Sequence, residues 1–272
     1  MARKILGIDA GNYETKVAVE GSVYKFRSLL GEWRERNLKS TFGDDMEYVY
    51  EGRRGLAGDI VQYECDFIRQ RFGDTKAHED AKIRILLAVH KYGSDVNDIV
   101  VGQPIKSHTP AQKEVIKTML QGAHTLTVND VEKTFTIRNI EVAAEGAVAY
   151  WAYEGLEQAL RFIDIGSGTI NFASVHKGRF VDRDSFTVSY GVESARTRDY
   201  TGLASAIIAE SSKRWKADDV VRVCGGVAEE LTIRLAEYYE NVEVIKPWDL
   251  APVYTNAIGC YELARVLYES RK

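Results

Sequence analysis

The sequence predicts an α/β protein made of two related halves that face each other across a cleft. One observation is a turn written twice. Ile8-Asp9-Ala10-Gly11-Asn12 sits between the apolar run Ile5–Ile8 and the strand-like run Val17–Val19. Ile163-Asp164-Ile165-Gly166-Ser167-Gly168-Thr169 sits between Leu160–Ile163 and Ile170–Ala173. Each reads as strand, Asp-x-Gly turn, strand. A second observation is that each copy heads a three-strand meander, and that the second half repeats the first in shorter form. A third is a pair of helical segments rich in small residues, Glu145-Gly146-Ala147-Val148-Ala149 and Asn256-Ala257-Ile258-Gly259-Cys260, whose close crossing would make a hinge.

In chain order, strands are expected at 4–9, 15–20 and 22–29, with Glu20-Gly21 marking a turn. The charged stretch 31–45 reads as a surface loop; a contact between copies is the sharper alternative. Met46–Tyr50 and Arg53–Ala57 flank a Glu51-Gly52 turn as a hairpin. Gly58-Asp59 opens a helical pattern through about Arg71. Residues 76–92 place Ile83, Leu86, Leu87 and His90 at helical spacing, which makes His90 a packed core residue. Ile99–Gly102 is a buried strand ending at Gln103-Pro104. Thr109-Pro110 is an N-cap with proline at the first helical position, and that helix runs to Leu120. Leu126–Val128 and Thr134–Ile137 form a hairpin, Ile140–Ala143 is a further strand, and Glu145-Gly146 opens a helix through about Tyr153.

The second half repeats this with strands at 160–165, 169–176 and 179–190. Helices follow from about Val192 and over 203–215. Val220–Cys224 is a buried strand ending in Gly225-Gly226, followed by a helix at 228–240, a strand at Val242–Ile245 and a last helix from Asn256 to Tyr268.

Composition sets bounds. The 272 residues suffice for two ordinary domains. A net charge of −4 supplies no global basic field toward nucleic acid or anionic membranes. The longest apolar runs are too short to span a bilayer. The three scattered cysteines (Cys65, Cys224, Cys260) argue against a disulfide framework, and the five histidines show no metal-ligand spacing. Met1-Ala2-Arg3-Lys4 leads into a strand rather than a signal-peptide core, so a cytoplasmic location is expected.

A lone Asp-x-Gly suits any hairpin. Two facing copies can grip a polyphosphate from both sides, because glycines let backbone N–H groups approach phosphate oxygens. Their aspartates can hold the hydration shell of Mg²⁺, which keeps several waters. Val220–Cys224 followed by Gly225-Gly226-Val227 and a helix lets a flat ring or a phosphate approach the backbone at a helix N-terminus. A tight turn is the plainer reading of that segment.

The order is Asp-Gly hairpin, small-residue helix, Asp-Gly hairpin, strand-Gly-Gly-helix, small-residue helix. It resembles the superfamily of actin, sugar kinases and heat-shock ATPases over nearly the whole chain. Within it the chain looks most like bacterial actin-like plasmid-segregation ATPases of the ParM, StbA and AlfA type. Tyr48-Val49-Tyr50-Glu51-Gly52-Arg53 with Gly58-Asp59, and Val100-Val101-Gly102-Gln103-Pro104, support this, as do Val142–Gly146 and Asn256–Tyr261.

The resemblance implies duplicated actin-like (ribonuclease H-like) α/β domains flanking a nucleotide cleft. Domain I would cover 1–153 plus 256–272, with a small insert at about 25–75, and domain II would cover 154–255. The short run between Thr169 and Cys224 leaves no length for the extra subdomain usual in the second half. One wall of the adenine pocket would then be missing or supplied by a neighbour.

The resemblance also implies roles. Asp9 and Asp164 would face Mg²⁺ through water, and Asp164 would polarise the attacking water. Gly11, Asn12 and Lys16 would lie near the phosphates, and Gly166, Ser167, Gly168 and Thr169 would cradle them. Glu145 would orient the water, although Ala144 precedes it where the family often has proline. Gly225, Gly226 and Val227 would lie against the adenosine. Glu193, Arg196 and Arg198 are candidates for base or ribose contacts, against a plainer reading as a solvated helix face. Trp33 and Trp248 read as contact anchors or as half-buried packing, and Cys224 as a small core residue.

The expected activity is hydrolysis of ATP or GTP with Mg²⁺, coupled to polymerisation into filaments that segregate plasmid DNA. The partners would be the chain itself and a small DNA-binding adaptor on a plasmid centromere, with no direct contact to nucleic acid or membrane. The rival readings are a small-molecule kinase of the same superfamily and a nucleotide-gated scaffold with little turnover.

Overall fold

A computed structural model describes residues 3–69, 75–194 and 199–269. The chain begins with the expected meander: β1 (Arg3–Ala10), β2 (Glu14–Val19) and β3 (Ser22–Arg27), paired antiparallel. Next come β4 (Leu30–Glu32), β5 (Met46–Tyr50), β6 (Arg53–Ala57), α1 (Val61–Glu64) and β7 (Ile68–Arg69). Then follow α2 (Glu79–Tyr92), β8 (Val96–Gln103), α3 (Pro110–Leu120), β9 (Gly122–Val128) and β10 (Val131–Ala144). Among the described residues these strands form one sheet in the order β3-β2-β1-β8-β10-β9-β5-β6-β4-β7. β8 runs parallel to both β1 and β10.

A second sheet carries the second half: β11 (Ala159–Ile165), β12 (Ile170–His176), β13 (Arg179–Phe180), β14 (Phe186–Val188), α4 (Tyr200–Ser211), β15 (Val220–Gly225), α5 (Ala228–Leu235) and β16 (Asn241–Val244). Its order is β13-β12-β11-β15-β16, with β14 also on β12. β15 is parallel to β11 and β16. Both sheets thus start with an antiparallel hairpin and extend by parallel strands on the other side of its first strand, which is the duplication suggested by the repeated turn. Between β12 and β15, the described residues add β13 and β14, both paired with β12, a 3₁₀ turn at Asp182–Asp184, and α4, which packs into the core of this same sheet, so no separate lobe forms among them. α6 (Thr255–Tyr268) closes the chain against the first sheet.

Separate apolar cores fix the two sheets. Leu6, Ile8, Ile99 and Val101 pack with Leu86 and Leu87 of α2 and Leu120 of α3. Ile163, Ile165 and Phe172 pack with Trp215, Val221 and Leu231. His90 is buried in α2, its Nε2 2.9 Å from the Val131 carbonyl, as its helical spacing predicts. Thr109 caps α3 by accepting from Gln112 N. No helix among the described residues is long and apolar enough to cross a membrane.

Several elements differ from expectation. The helix read from Gly58 to about Arg71 is one turn, α1; residues 70–74 lie outside the described residues. The Glu32 carboxylate accepts from Asp66 N at 2.7 Å and Phe67 N at 3.3 Å, which draws the backbone out of the helix and lets β7 pair with β4. The strands read at 134–137 and 140–143 are one strand, β10, bent by a bulge between Ile137 and Asn139. The segment after Gly146 is a 3₁₀ helix over Ala147–Ala152, entered through a Gly146 φ of +75°. The strand read over 179–190 breaks into β13 and β14 around a 3₁₀ turn at Asp182–Asp184. Val192–Ser194 form a turn rather than the start of a helix, because Val192 N and Glu193 N donate to Gly166 O and Ser167 O. α4 instead begins behind Asp199, whose carboxylate accepts from Thr201 N and Gly202 N.

The crossing of small-residue segments is realised. α6 packs on β1, β8 and the 3₁₀ helix. Ala149 of that 3₁₀ helix packs with Leu160, Phe162 and Ala173 of the second sheet. A Cβ added at Gly7 would collide with Ala257 O and Tyr261 N, and one at Gly259 with Val148 O. These are backbone atoms that cannot turn aside. Gly259→Ala is therefore expected to destabilise by about 3 kcal/mol. Gly43→Ala, where φ is +53° and nothing lies within 4 Å, should cost about 1 kcal/mol. Urea melts of the two variants test this; equal losses would show that α6 is not seated by the crossing.

Candidate functional site

The two Asp-Gly turns open into one cavity of about 360 Å³ between the sheets, within the range of small-ligand pockets. They are built alike. In the first, a Cβ on Gly11 would lie 2.7 Å from Glu14 O; in the second, one on Gly166 would lie 2.8 Å from Thr169 O. Gly166 N also donates to Thr169 O at 3.0 Å. Only glycine allows the chain to double back this tightly. The aspartates match as well. Asp9 near the end of β1 lies directly opposite Lys16 of β2, and Asp164 near the end of β11 lies directly opposite Asn171 of β12. Lys16 Nζ is 3.7 Å from Asp9 Oδ2, and Asn171 Nδ2 donates to Asp164 Oδ2 at 3.1 Å.

Buried polar contacts brace the first turn from behind. Ser28 Oγ donates to Gly11 O at 2.6 Å and lies 2.9 Å from Thr15 Oγ1. Arg84 of α2, fully buried, donates to Ser28 O at 2.9 Å and reaches Asn12 Oδ1 at 3.5 Å. Burial lowers the Arg84 guanidinium to about 10.

Glu145 stands at the junction of the sheets. Its N donates to Gln103 O at 2.9 Å, and its Oε2 accepts from Asn171 Nδ2 at 3.3 Å. Asn171 thus joins the Glu145 and Asp164 carboxylates. Lys76 Nζ lies 3.6 Å from Glu145 Oε1, an oxygen that is buried and finds no hydrogen-bond donor. Burial raises the Glu145 carboxyl to about 7; Lys76 opposes this, and the Asp9 and Asp164 charges add to it. Burial also raises Asp164, with hydrogen bonds from Asn256 and Asn171 pulling the other way and Asp9 adding to the rise. Three carboxylates, Asp9, Asp164 and Glu145, line one cavity with two lysines, Lys16 and Lys76. That donor set is short of positive charge and suits a hydrated divalent cation.

The cavity gathers nearly every residue singled out from sequence. Asp9, Gly11, Asn12, Lys16, Glu145, Asp164 and the run Gly166–Thr169 line it, with Gly225, Gly226, Val227 and Glu193 at the other end. Gly225 takes φ +107° against Ile165 O, a place where any side chain would collide. Arg196 and Arg198 lie outside the described residues. Cys224 is buried as expected, its Sγ 3.9 Å from Asp164 Oδ1, and burial pushes its thiol well above the ordinary value. Trp33 is half-buried: its Nε1 donates to Glu47 and the Arg54 guanidinium lies 3.6 Å over its ring. Trp248 is half-buried too, donating to Glu262.

Sequence reasoning missed Lys76, Gln103 and Asn171 as site residues, and took Asn256 as the head of the last small-residue helix rather than as a site residue. Asn256 accepts from Gly146 N at 3.1 Å and lines the cavity. A signal existed for Asn171: it follows Asp164 at the same offset at which Lys16 follows Asp9, and in a hairpin of that length the two positions face each other. Lys76 carried no local signal, because it reaches the site through the tertiary fold.

Residues 7–147 match the family described as "Actin like proteins N terminal domain", and the chain belongs to that family of actin-like proteins. Among curated proteins no match is found. The solved structures it resembles include AlfA from B. subtilis plasmid pLS32 in its filament, 23% identical over 97% of this chain and 98% of that one, with a TM-score of 0.79. An AlfA filament bound to AMPPNP is 22% identical over 100% and 97%, TM-score 0.75. An archaeal actin homologue, Ta0583, in complex with ADP is 18% identical over 97% and 99%, TM-score 0.78. At these identities the likeness establishes the actin-like fold at full chain length, the type to which the sequence resemblance pointed.

The Glu145 environment makes stability depend on pH. The folded carboxyl titrates near 7, above its ordinary 4.5. Its contribution is therefore fully present below about 4.5 and is lost as pH rises through about 7. Between pH 5 and 8 this amounts to roughly 2 kcal/mol. In the absence of nucleotide and magnesium, wild type should lose that much stability relative to Glu145→Gln across this range. Denaturant melts at each pH measure the difference; parallel pH curves for the two proteins would mean that Glu145 is not held in a charge-hostile site.

Proposed function

We propose that the cavity binds a nucleoside triphosphate with Mg²⁺ and hydrolyses it, and that nucleotide state governs assembly of the chain into filaments. The observation that carries this reading is the pair of matched Asp-Gly turns opening on one cavity with Asp9, Asp164 and Glu145 buried around it. The phosphates would lie between the turns, within reach of the Gly11–Asn12 and Gly166–Thr169 backbone and of Lys16. Adenosine, or guanosine, would lie toward Gly225, Gly226, Val227 and Glu193. Asp9 and Asp164 would hold Mg²⁺ through its waters, and the ion would neutralise charge on the β- and γ-phosphates.

Hydrolysis then needs positioning more than covalent chemistry. Asp164 would polarise the attacking water and Glu145 would orient it. The water oxygen bonds to the γ-phosphorus as the bond to the β–γ bridging oxygen breaks. That oxygen leaves on the diphosphate with the electron pair, and the water proton passes to Glu145 and then to the released phosphate. A carboxyl near 7 is suited to take and return a proton at neutral pH.

AlfA forms a filament, binds AMPPNP and comes from a plasmid; the archaeal homologue binds ADP. These likenesses support self-assembly here, in the cytoplasm, in the service of plasmid segregation. The DNA link would pass through a small DNA-binding adaptor at a plasmid centromere, which suits a chain of net charge −4. The two-domain division, 1–153 with 256–272 and 154–255, is part of the same reading. Closure of the halves on the phosphates would couple nucleotide state to the filament contact.

Pelleting and light scattering in ATP, ADP and a non-hydrolysable analogue, run beside phosphate release, test the reading. Assembly should be strong in ATP with Mg²⁺ and weaker in ADP. A chain that stays monomeric in ATP and phosphorylates a small metabolite would replace it with the kinase reading. Asp164→Asn should lower phosphate release by ~10²–10³-fold. Glu145→Gln should slow release while keeping nucleotide affinity, and so lengthen filament lifetime. Phosphate release at the wild-type rate by either variant would remove that residue from the chemistry.

A further inference from the structure

Lys76 is the least expected member of the site. A lysine is seldom fully buried unless paired, yet its side chain is 5% exposed. It lines the cavity together with Glu145, Asp9 and Asp164. Its contact to Glu145 Oε1, at 3.6 Å, is an ion pair beyond hydrogen-bond length, and that oxygen finds no donor at all. The pair is therefore close enough to neutralise charge but not locked.

The backbone around the pair, by contrast, is tightly held. Gln103, fully buried at the end of β8, accepts from Lys76 N through Oε1 at 2.7 Å and from Glu145 N through its own carbonyl at 2.9 Å. Its Nε2 donates to Thr75 Oγ1 at 3.0 Å and Ser107 O at 3.2 Å. Thr75 Oγ1 in turn donates to Gln112 of α3 at 2.8 Å. One residue thus fixes where both charged residues start, through its side chain for Lys76 and its main-chain carbonyl for Glu145, while no hydrogen bond joins the lysine's ammonium to the Glu145 carboxylate. A fixed backbone root and a tip held only by a 3.6 Å ion pair suit a charge that changes partner.

We propose that Lys76 is a triphosphate-sensing cation. Without nucleotide its ammonium neutralises Glu145. When a triphosphate enters, the ammonium turns to the terminal phosphoryl oxygens and frees Glu145 to orient the water. Gln103 is the positioning residue that places both. This inference rests on the nucleotide reading proposed above and names the part of the ligand that Lys76 recognises, the terminal phosphate. An ammonium facing phosphate makes strong, charge-assisted hydrogen bonds, and a diphosphate would leave it on Glu145.

Binding of AMPPNP and of ADP, each with Mg²⁺, to wild type, Lys76→Met and Lys76→Arg tests this by titration calorimetry. Lys76→Met should weaken AMPPNP binding about 10-fold, leave ADP affinity within about twofold, and reduce phosphate release from ATP by ~10²-fold. Lys76→Arg should keep most of the preference for the triphosphate. Should Lys76→Met unfold because it strands the Glu145 charge, the double variant Lys76→Met/Glu145→Gln replaces the pair with neutral groups, and it must show the same loss of preference. An AMPPNP-to-ADP ratio unchanged from wild type, in either folded variant, overturns the proposal and leaves the nucleotide site standing. Wild type that binds neither nucleotide overturns the site reading and this inference together.

Discussion

The structure depends on keeping three carboxylates, Asp9, Asp164 and Glu145, in a buried space where the two sheets meet. Each is less than a tenth exposed. Burying carboxylates without full compensation is costly, and a protein normally avoids it or neutralises the groups. Here compensation is partial: Lys16 for Asp9, Asn171 shared between Asp164 and Glu145, and Lys76 at a distance from Glu145. The elevated Glu145 and Asp164 carboxyls are the electrostatic record of that shortfall. Under the proposed function a cation with a polyphosphate would supply the missing partners at the place where the carboxylates are crowded.

The remaining architecture holds that place together. Glycine at Gly11 and Gly166 lets both hairpins turn tightly enough to put their aspartates at the cavity. Strands β8 and β10, running parallel beside β1, bring Gln103 and Glu145 to the same end of the sheet as Asp9. Gly7 and Gly259 let α6 lie against β1 and the 3₁₀ helix, which places Asn256 under Gly146 and at the cavity wall. A change in the spacing of the two turns would therefore be felt along α6.

Most of this frame was legible in the sequence because it is written in local rules. Asp-x-Gly turns, the Thr109-Pro110 cap, the Glu51-Gly52 hairpin and the buried strand before Gly225-Gly226 each depend on a few adjacent residues. What was not legible depends on distant partners. Glu32 claims the amides of Asp66 and Phe67 and ends α1 early. Gly166 and Ser167 claim the amides of Val192 and Glu193 and delay α4. In both cases helical periodicity lost to a hydrogen bond made elsewhere in the fold. The site divides the same way. Its glycines and aspartates were readable from their motifs. Lys76 and Gln103 join it only because the sheet brings residues 75–76, 103 and 145 together, and Asn171 would have been found by asking what lies across the strand from Asp164.

The central claim is that the buried acidic cavity is completed by a magnesium–triphosphate ligand. The most direct measurement is the thermal midpoint of the protein with AMPPNP in Mg²⁺, with AMPPNP in EDTA, and with Mg²⁺ alone. Ligand at about 100 times its dissociation constant stabilises by roughly 2.7 kcal/mol, which raises the midpoint of a chain this size by about 5–10 °C. The account predicts a rise of that size only when nucleotide and Mg²⁺ are both present. An equal midpoint in all three conditions would contradict it.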